Sequence, residues 1–457
     1  MIADFDVIIV GAGAAGIAAA IELQKTSLSF IVLEARNRPG GRAYTDSETF
    51  APTPVDLGAS WIHQYGFHNP MYPYYQQFKA VAQAISENDE EEHLLNLSHD
   101  GKPLSPDSEQ QADMIYKHFI TCLEKFASDT EELNDRSIQD VIQADYEQLA
   151  DTHGHLKSII DCCLADIEMY EASDLAELSA KEWRTPQESA RCDQWVSYGY
   201  GTLLERIVDQ YKLAIRLNTL VTHIDTRNSD QIAVKVADVD SPIFCRYVLI
   251  TVPLGCLKRE TIAFEPPLPE WKREAIGRMG FGLLNKCILQ FSDCFWNLMA
   301  ITVLRTCNEP RSRFHYIVCL PPPANILILL LSGANAAELE NAADSEILSH
   351  VMKFLQQIFP QYVVPDPIKY KFTRWSQDPL SFGSYSNFAV HSNQHTMELL
   401  ARETDDGRLH WAGEHTYVND DINESANGCV HGAFLTGGRA AAAIRARILL
   451  GKSSDTT

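Results

Sequence analysis

Three glycines near the start of the chain have the spacing of a phosphate-binding turn. Gly11, Gly13 and Gly16 follow the apolar run 7–10, and Glu34 stands at the end of the next apolar run. Gly11 permits a tight turn, Gly13 lets the backbone approach a pyrophosphate, and Gly16 allows a helix to pack closely. The first N–H groups of that helix can bind phosphate, and Glu34 can accept hydrogen bonds from a ribose. The pattern predicts a dinucleotide site and leaves FAD and NAD as alternatives.

A second glycine turn, Gly40-Gly41-Arg42, follows shortly after Glu34. Arg42 can neutralise a diphosphate, and the two glycines let the backbone pass close to it. Segment 33–42 as a whole resembles the flavin amine oxidase superfamily, in which the corresponding turn packs beside the FAD pyrophosphate. The resemblance favours FAD over NAD.

Four further regions resemble the polyamine oxidase branch of that superfamily. They are residues 57–63, 252–258 with 281–286, 375–385, and 411–416 with 432–433. The resemblance implies that FAD is held without a covalent bond, because Ser384 stands where monoamine oxidases carry the cysteine that bonds to the flavin. The FAD-binding residues that it implies are Gly11, Gly13, Ala14, Ala15, Gly16, Glu34, Ala35, Arg36, Gly41, Arg42, Gly58, Ala59, Ser60, Trp61, Val221, Trp375, Gly413, Glu414 and Val430.

The resemblance also implies a reaction centre. Lys286 matches the lysine that holds a water near flavin N5, where a cation can assist reoxidation by O2. Val430 begins an alanine-rich helix whose positive end would stabilise charge on the reduced flavin. His63 matches a histidine beside the flavin and could bind or deprotonate an ammonium, or be an ordinary packed or exposed histidine.

The expected substrate site has one aromatic wall. Trp61 and Tyr385 match positions that face the substrate, but Cys429 stands where a second ring is usual, so cation–π contacts would be one-sided. Glu168 and Glu171 have helical spacing that puts both on one face, suited to a distal ammonium. A plain surface pair is the alternative for these two acids.

The amino-acid composition indicates which classes of ligand and which compartment to expect. The 457 residues include 61 acidic and 38 basic side chains, giving a formal charge of −23, which argues against nucleic acid and suits a cationic ligand. An acidic surface that serves solubility is the other interpretation. Eleven irregularly spaced cysteines, no signal-peptide pattern and no membrane-length apolar run lead us to expect a cytoplasmic protein. The oligomeric state is not predicted.

No metal site is expected. His153, His155, Cys162 and Cys163 lie close together in the chain but lack the paired cysteine spacing of structural zinc.

We expect an α/β fold with two domains. The strand–turn–helix–strand pattern of residues 5–42 predicts a Rossmann-like FAD-binding domain. Strand patterns return at 214–224, 248–252 and 325–331, so this domain is discontinuous, with segments 1–76, 196–276 and 404–457. Segments 77–195 and 277–403 are expected to form an α+β substrate-binding domain, with a mixed sheet flanked by helices.

The resemblance implies FAD-dependent oxidation of a C–N bond in a polyamine or acetylated polyamine, with O2 reduced to H2O2. An oxidase of another amine or of an L-amino acid is an alternative, and it would need an arginine for the substrate carboxylate, such as Arg305, Arg311 or Arg313. A non-catalytic flavoprotein interaction module, or a histone-demethylase-like protein, is a further alternative.

Overall fold

A computed structural model describes residues 3–79, 93–129, 134–152, 157–183, 193–296, 298, 300–307, 310–418 and 426–454. The strands in chain order are β1 (Phe5–Val10), β2 (Phe30–Leu33), β3 (Thr45–Asp46), β4 (Val55–Asp56), β5 (Trp61–Ile62), β6 (His93–Leu97), β7 (Gln194–Trp195), β8 (Ile215–Arg216), β9 (Val221–Asp225), β10 (Ile232–Val236), β11 (Ile243–Ile250), β12 (Ala263–Glu265), β13 (Gly280–Phe281), β14 (Leu284–Gln290), β15 (Thr302–Thr306), β16 (Tyr316–Leu320), β17 (Ile326–Ser332), β18 (Lys369–Phe372), β19 (Ser386–Asn387) and β20 (Leu409–Trp411). The α-helices are α1 (Ala14–Gln24), α2 (Tyr72–Lys79), α3 (Pro106–Ser128), α4 (Ile138–Thr152), α5 (Lys157–Glu171), α6 (Tyr200–Tyr211), α7 (Leu254–Lys258), α8 (Glu270–Arg278), α9 (Gly333–Glu340), α10 (Asp344–Ile358), α11 (Gln394–Ala401) and α12 (Val430–Ser454).

An eight-stranded sheet carries the first glycine turn. Its order is β12-β9-β10-β11-β1-β2-β8, with β20 also paired to β11. The strands β1, β2, β11 and β20 run parallel and are largely buried, as expected for near-continuous apolar runs covered on both faces. The turn after β1 therefore lies at the carboxyl edge of parallel strands, where α/β folds bind ligands.

Small residues let two helices approach each other over this sheet. The helices α1 and α12 pack together, and a methyl group on Gly437 would lie 1.9 Å from the carbonyl oxygen of Ala15. The alanines of both helices belong to the same buried core. The alanine-rich sequences thus bring the N-terminal and C-terminal segments of the chain together.

The two glycine turns are in direct contact. Gly40 N donates to Ala12 O at 2.8 Å, and Gly13 and Gly40 form an isolated parallel bridge. Gly11 and Gly40 have φ values of +106° and +92°, a region in which other residues are strained. A methyl group on Gly16 would lie 2.0 Å from Gly11 O. The spacing of the first turn is therefore required for its packing.

A six-stranded mixed sheet forms the second layer, in the order β18-β14-β17-β16-β15-β6. Its pairs are antiparallel except for β15 with β6. One face packs against α10, whose apolar stripe includes Val351, Phe354 and Leu355. The other face packs against segment 50–61 and Trp375. This second face is turned toward the site described below.

The α/β class is confirmed. The predicted strands at 7–10 and 30–33 are present, and 325–331 corresponds to β17, shifted by one residue. Segment 214–224 contains two short strands with a break instead of one strand. Every strand of the eight-stranded sheet lies within the segments predicted for the FAD-binding domain, and every strand of the six-stranded sheet within the other two. The domain boundaries themselves stay a prediction.

Several strands, among them β6, were not predicted. The β6 sequence His-Leu-Leu-Asn-Leu has no clear alternation, and the strand pairs only with the distant β15. Among the described helices, none has the length and the apolar character needed to cross a bilayer.

The two glycines of the first turn provide a matched test. Gly16→Ala forces a methyl group against Gly11 O, at a cost of about 1–3 kcal/mol in the free energy of unfolding. Gly13→Ala meets nothing within 4 Å, and φ of −73° suits alanine. We expect G16A to lower the melting temperature of the apoprotein. The purified G16A protein should also contain less flavin than the wild type. G13A should melt like the wild type but bind less flavin, because the methyl group lies where a pyrophosphate would pass. Full flavin content in G13A would contradict this role for the turn.

Candidate active site

A cavity of about 2000 Å³ lies between the two sheets and is lined by residues of both. Of the predicted FAD-binding residues, Gly16 alone does not line it and instead packs behind the turn. The predicted catalytic residues Lys286, His63 and Tyr385 line the same cavity, as do Glu171 and Cys429. The structure thus brings together residues from the beginning, the middle and the end of the chain.

The nucleotide end of this cavity fits a dinucleotide. Glu34 is buried and accepts Ala12 N at 2.6 Å and Arg36 N at 2.8 Å, so its carboxylate is fixed while lone pairs remain for ribose hydroxyls. Gly13 faces open space. The N-termini of α1 and α12 both reach the cavity, at Ala14 and Val430, and both favour negative charge. A pyrophosphate and an electron-rich ring system suit this arrangement.

Val221 lines this end through β9, and Arg36 is held by a bidentate pair with Asp378 at 3.0 and 2.9 Å. The neighbouring Ala35, Ala15 and Leu33 add apolar surface. Asp378 was not predicted from the sequence, since its partner lies in a remote segment.

An ion pair between half-buried Arg42 and buried Glu414 joins the two ends of the chain. Arg42 Nη1 donates to Glu414 Oε1 at 2.9 Å and to Ser384 O at 2.7 Å. The other carboxylate oxygen of Glu414 accepts Ser386 Oγ at 2.5 Å and Gly428 N at 3.1 Å. Burial alone would raise the pKa of Glu414, but the charges of Arg42 and His415 and the hydrogen bonds from Ser386 and Arg42 together hold that pKa below its usual value. A role for Arg42 against a diphosphate stays a prediction, since part of its charge is already paired.

Lys286 lies in the middle of β14 and is only 4% exposed. Its Nζ donates to Asp56 O at 2.8 Å, to Gly58 O at 2.7 Å and to Ser60 Oγ at 2.6 Å. Three acceptors match the three N–H donors of an ammonium group, whereas a neutral amine has two. Burial lowers the pKa of Lys286 to about 8, although the charge of Asp56 opposes this shift.

Asp56 is the counter-charge to Lys286 and was missed by the sequence analysis. It is buried, and burial raises its pKa to about 6 in spite of the nearby Lys286. Thr45 Oγ1 and Tyr200 N donate to the carboxylate at 2.6 and 3.0 Å. The buried pair holds a positive charge on the cavity wall at neutral pH.

His63 is held by a second acid that the sequence did not indicate. Its Nδ1 lies 2.8 Å from Asp193 Oδ2, and both residues line the cavity. A carboxylate at this nitrogen fixes the tautomer of the ring and stabilises its protonated form. His63 can therefore take up a proton without leaving an uncompensated charge.

Aromatic rings of Tyr385, Trp375 and Trp61 line the cavity. Tyr385 OH donates to Met169 O at 3.0 Å, and Trp375 Nε1 donates to Leu57 O at 3.1 Å. Trp61 packs edge-on against Trp195, with ring centroids 4.7 Å apart. These hydrogen bonds and ring contacts fix the orientation of each ring.

A carboxyl group and a thiol lie beside Tyr385. Burial raises the pKa of Glu171 to about 7. The pKa of Tyr385 is also raised, mainly by burial and to a smaller extent by the charge of Glu171. Burial raises the pKa of Cys429 to about 12, so this thiol is neutral. Among the described residues, Glu171 has no cationic side chain paired with it.

Glu168 does not join Glu171 at the cavity. Its carboxylate is 4% exposed and accepts Arg311 Nη2 at 2.9 Å, Leu175 N at 3.2 Å, and the hydroxyl of Ser312. A spacing of three still separates two side chains by about 60° around a helix. That angle is enough to point Glu168 into the protein and Glu171 into the cavity. A substrate-binding role for Glu168 does not fit this position.

Only part of the segment 153–163, where no metal site was predicted, lies within the described residues. His153 and His155 lie outside the described residues. Cys162 and Cys163 are buried free thiols, and Cys163 Sγ lies 3.7 Å from Arg305 Nη2.

Known proteins are similar to this chain over most of its length. Residues 14–445 match the family described as flavin containing amine oxidoreductase. The chain is 30% identical to Polyamine oxidase 4 of Oryza sativa subsp. japonica, over 98% of this chain and 90% of that protein. It is 31% identical to Polyamine oxidase 2 of Arabidopsis thaliana, over 97% and 88% respectively. It is also 33% identical to Lysine-specific histone demethylase 1 homolog 2 of Oryza sativa subsp. japonica, over 96% of this chain but 56% of that protein.

The match confirms the resemblance found in the sequence, and the cavity supplies the two glycine turns, Glu34 and the two helix N-termini that a flavin dinucleotide requires. The chain belongs to the flavin-containing amine oxidoreductase family and is an FAD-dependent amine oxidase.

Proposed function

We propose that the enzyme oxidises a C–N bond of a polyamine or acetylated polyamine. The imine hydrolyses to an aldehyde and an amine, and O2 is reduced to H2O2. The observation that carries this proposal is Glu171, a carboxyl group that lies beside the ring of Tyr385 and lacks a cationic partner among the described residues. A buried carboxylate is stabilised by an ammonium, and an aromatic ring adds a cation–π contact.

The other charges of the cavity support a cationic substrate. Four cationic side chains of its wall are paired within the protein: Arg36 with Asp378, Arg42 with Glu414, Lys117 with Asp113, and Arg305 with Asp166. A polyamine has several ammonium groups, so one can bind Glu171 while another nitrogen reacts. Bound FAD would supply the two-electron oxidation of the amine to an imine and the transfer of those electrons to O2.

The protein's own groups then have distinct tasks. His63, supported by Asp193, can accept the proton that the reacting ammonium must lose. Tyr385 and Trp375 restrict the substrate chain by contact. Lys286 places a positive charge where negative charge develops on oxygen.

An L-amino-acid oxidase needs an arginine that can grip a carboxylate. Arg305 lines the cavity but pairs with Asp166 at 3.0 Å. Arg311 and Arg313 pair with Glu168 and Glu338 instead and do not line the cavity. These pairings favour an amine over an amino acid.

A demethylase of methylated lysine is the second candidate, and it rests on the 33% identity to a relative of that name. This chain spans 56% of that relative but 90% of the first polyamine oxidase. A dimethyl-lysine peptide among the test substrates separates the two functions.

The proposal is tested by peroxide release and product mass spectrometry with the holoenzyme. The substrates are spermine, N-acetylspermine, benzylamine, L-amino acids and a dimethyl-lysine peptide. We expect turnover of the polyamines, with an aldehyde and an amine as products. Turnover confined to amino acids or to the peptide would replace this proposal with the corresponding alternative.

Glu171→Gln tests the carboxylate. Since the folded pKa of Glu171 is raised to about 7, its charge is present above that pH and lost below it. The KM for a polyamine should therefore fall as the pH rises from 6 to 8. E171Q should raise KM at pH 8 by about 10- to 100-fold, equivalent to ~1.5–3 kcal/mol, and remove this pH dependence.

Glu177→Gln is the matched control, because Glu177 is exposed and does not line the cavity. A KM that E171Q leaves unchanged, or that E177Q raises equally, would exclude Glu171 as the ammonium-binding group.

Lys286→Met tests the buried cation. Anaerobic reduction by substrate should change little, whereas reoxidation by O2 should slow by roughly 10²-fold or more. In the wild type, reoxidation should slow as the pH rises past about 8, because Lys286 then loses its charge. Stopped-flow measurement of both half-reactions checks this. Equal slowing of both would indicate a structural role instead.

The flavin should be released intact. Ser384 Oγ is bound to the backbone of Leu284 at 2.8 and 3.0 Å and offers no thiol for a covalent link. Acid precipitation should leave the flavin absorbance in the supernatant, and flavin that stays with the pellet would contradict non-covalent binding.

A further inference from the structure

Three side chains form a small ligand cluster away from the cavity. His118 and Cys122 are four residues apart on α3, so they share one face of that helix. Asp145 reaches them from α4. His118 Nε2, Cys122 Sγ and Asp145 Oδ2 all lie within 4.8 Å of one another.

From this cluster we propose a divalent transition-metal site, with zinc as its natural ion, that joins α3 to α4. The site is independent of the amine oxidase reaction. No metal site was predicted from the sequence, and this cluster lies on other helices than Cys162 and Cys163.

The distances between the ligand atoms carry the proposal. Tetrahedral zinc holds sulfur at about 2.3 Å and nitrogen or oxygen at about 2.0–2.2 Å, which sets these atoms roughly 3.3–3.6 Å apart. The sulfur lies 3.2 Å from the Asp145 oxygen and 3.7 Å from the His118 nitrogen, and these two atoms lie 3.6 Å apart. The triangle is therefore close to one face of a zinc tetrahedron.

Hydrogen bonding explains only part of this geometry. The Cys122 thiol donates to Asp145, and its sulfur is in a long hydrogen bond with His118 Nε2 at 3.7 Å. The 3.6 Å between His118 and Asp145 is too long for a hydrogen bond. Thiolate, imidazole and carboxylate together suit zinc better than magnesium or calcium, which prefer oxygen ligands.

Solvent has access to the fourth position. The side chains of His118 and Asp145 are 52% and 41% exposed. Water can therefore complete the tetrahedron. Binding forms a metal–sulfur bond, breaks the S–H bond of Cys122 and releases its proton to solvent.

Such a metal would fix one wall of the cavity. The adjacent face of α3, with Ala112, Tyr116 and Ile120, lines the cavity. A link from α3 to α4 would add to the apolar contacts that already hold this wall in position.

Cobalt titration of the untagged, metal-free holoenzyme tests the site. We expect one equivalent of Co²⁺ per chain to give a sulfur-to-metal charge-transfer band and tetrahedral d–d bands, both displaced by Zn²⁺. Cys122→Ala should abolish the charge-transfer band, and His118→Ala or Asp145→Asn should weaken Co²⁺ binding at least tenfold. Cys294→Ala, which changes a half-buried cysteine elsewhere, should leave the titration unchanged.

Thermal melting provides the second readout, because a ligand that binds the folded state raises the melting temperature. Zn²⁺ should raise the melting temperature of the wild type and of C294A, but it should leave the melting temperature of C122A unchanged. The proposal is overturned if the wild type shows no charge-transfer band, or if C122A keeps it.

Discussion

The ion pair of half-buried Arg42 and buried Glu414 is the interaction on which the rest of the site depends. Two charges taken out of water are costly unless their remaining donors and acceptors are satisfied. Here Ser384 O, Ser386 and Gly428 N supply those partners. The pair therefore ties the second glycine turn to the strand around Tyr385 and to the start of α12. A change on either side of the pair leaves an unpaired charge beside the flavin site.

Lys286 shows the same principle on the other sheet. Its ammonium group needs three acceptors, and residues 56–60 provide them by running past the middle of β14. The charge that would assist reaction with O2 is thus also a structural link between the two layers. Glu171 is the exception among these groups, because its carboxyl is enclosed without a cation from the described part of the chain. A carboxylate without a cationic partner is suited to a ligand that carries an ammonium group.

Local sequence was enough to predict the first turn, because Gly11, Gly13 and Gly16 fill roles that depend on neighbours a few residues away. Lys286 and Glu414 were found by resemblance, since nothing near them in the chain reveals their partners. Asp56 and Asp193 were missed for that reason: each acts on a residue that is remote in sequence. Glu168 was predicted to share a helix face with Glu171. Helical spacing fixes the angle between two side chains, but their surroundings depend on how the helix packs. The cluster of His118, Cys122 and Asp145 needed the packing of two helices to become visible.

The central claim is that this flavoenzyme takes its electrons from a polyamine. The most direct measurement is anaerobic mixing of the holoenzyme with spermine and N-acetylspermine, followed by the visible spectrum of the flavin. The account predicts that a polyamine bleaches the flavin completely, within seconds, and that L-amino acids and a dimethyl-lysine peptide leave it oxidised over the same period. A flavin that polyamines leave oxidised, while one of those other substrates reduces it, would contradict the account.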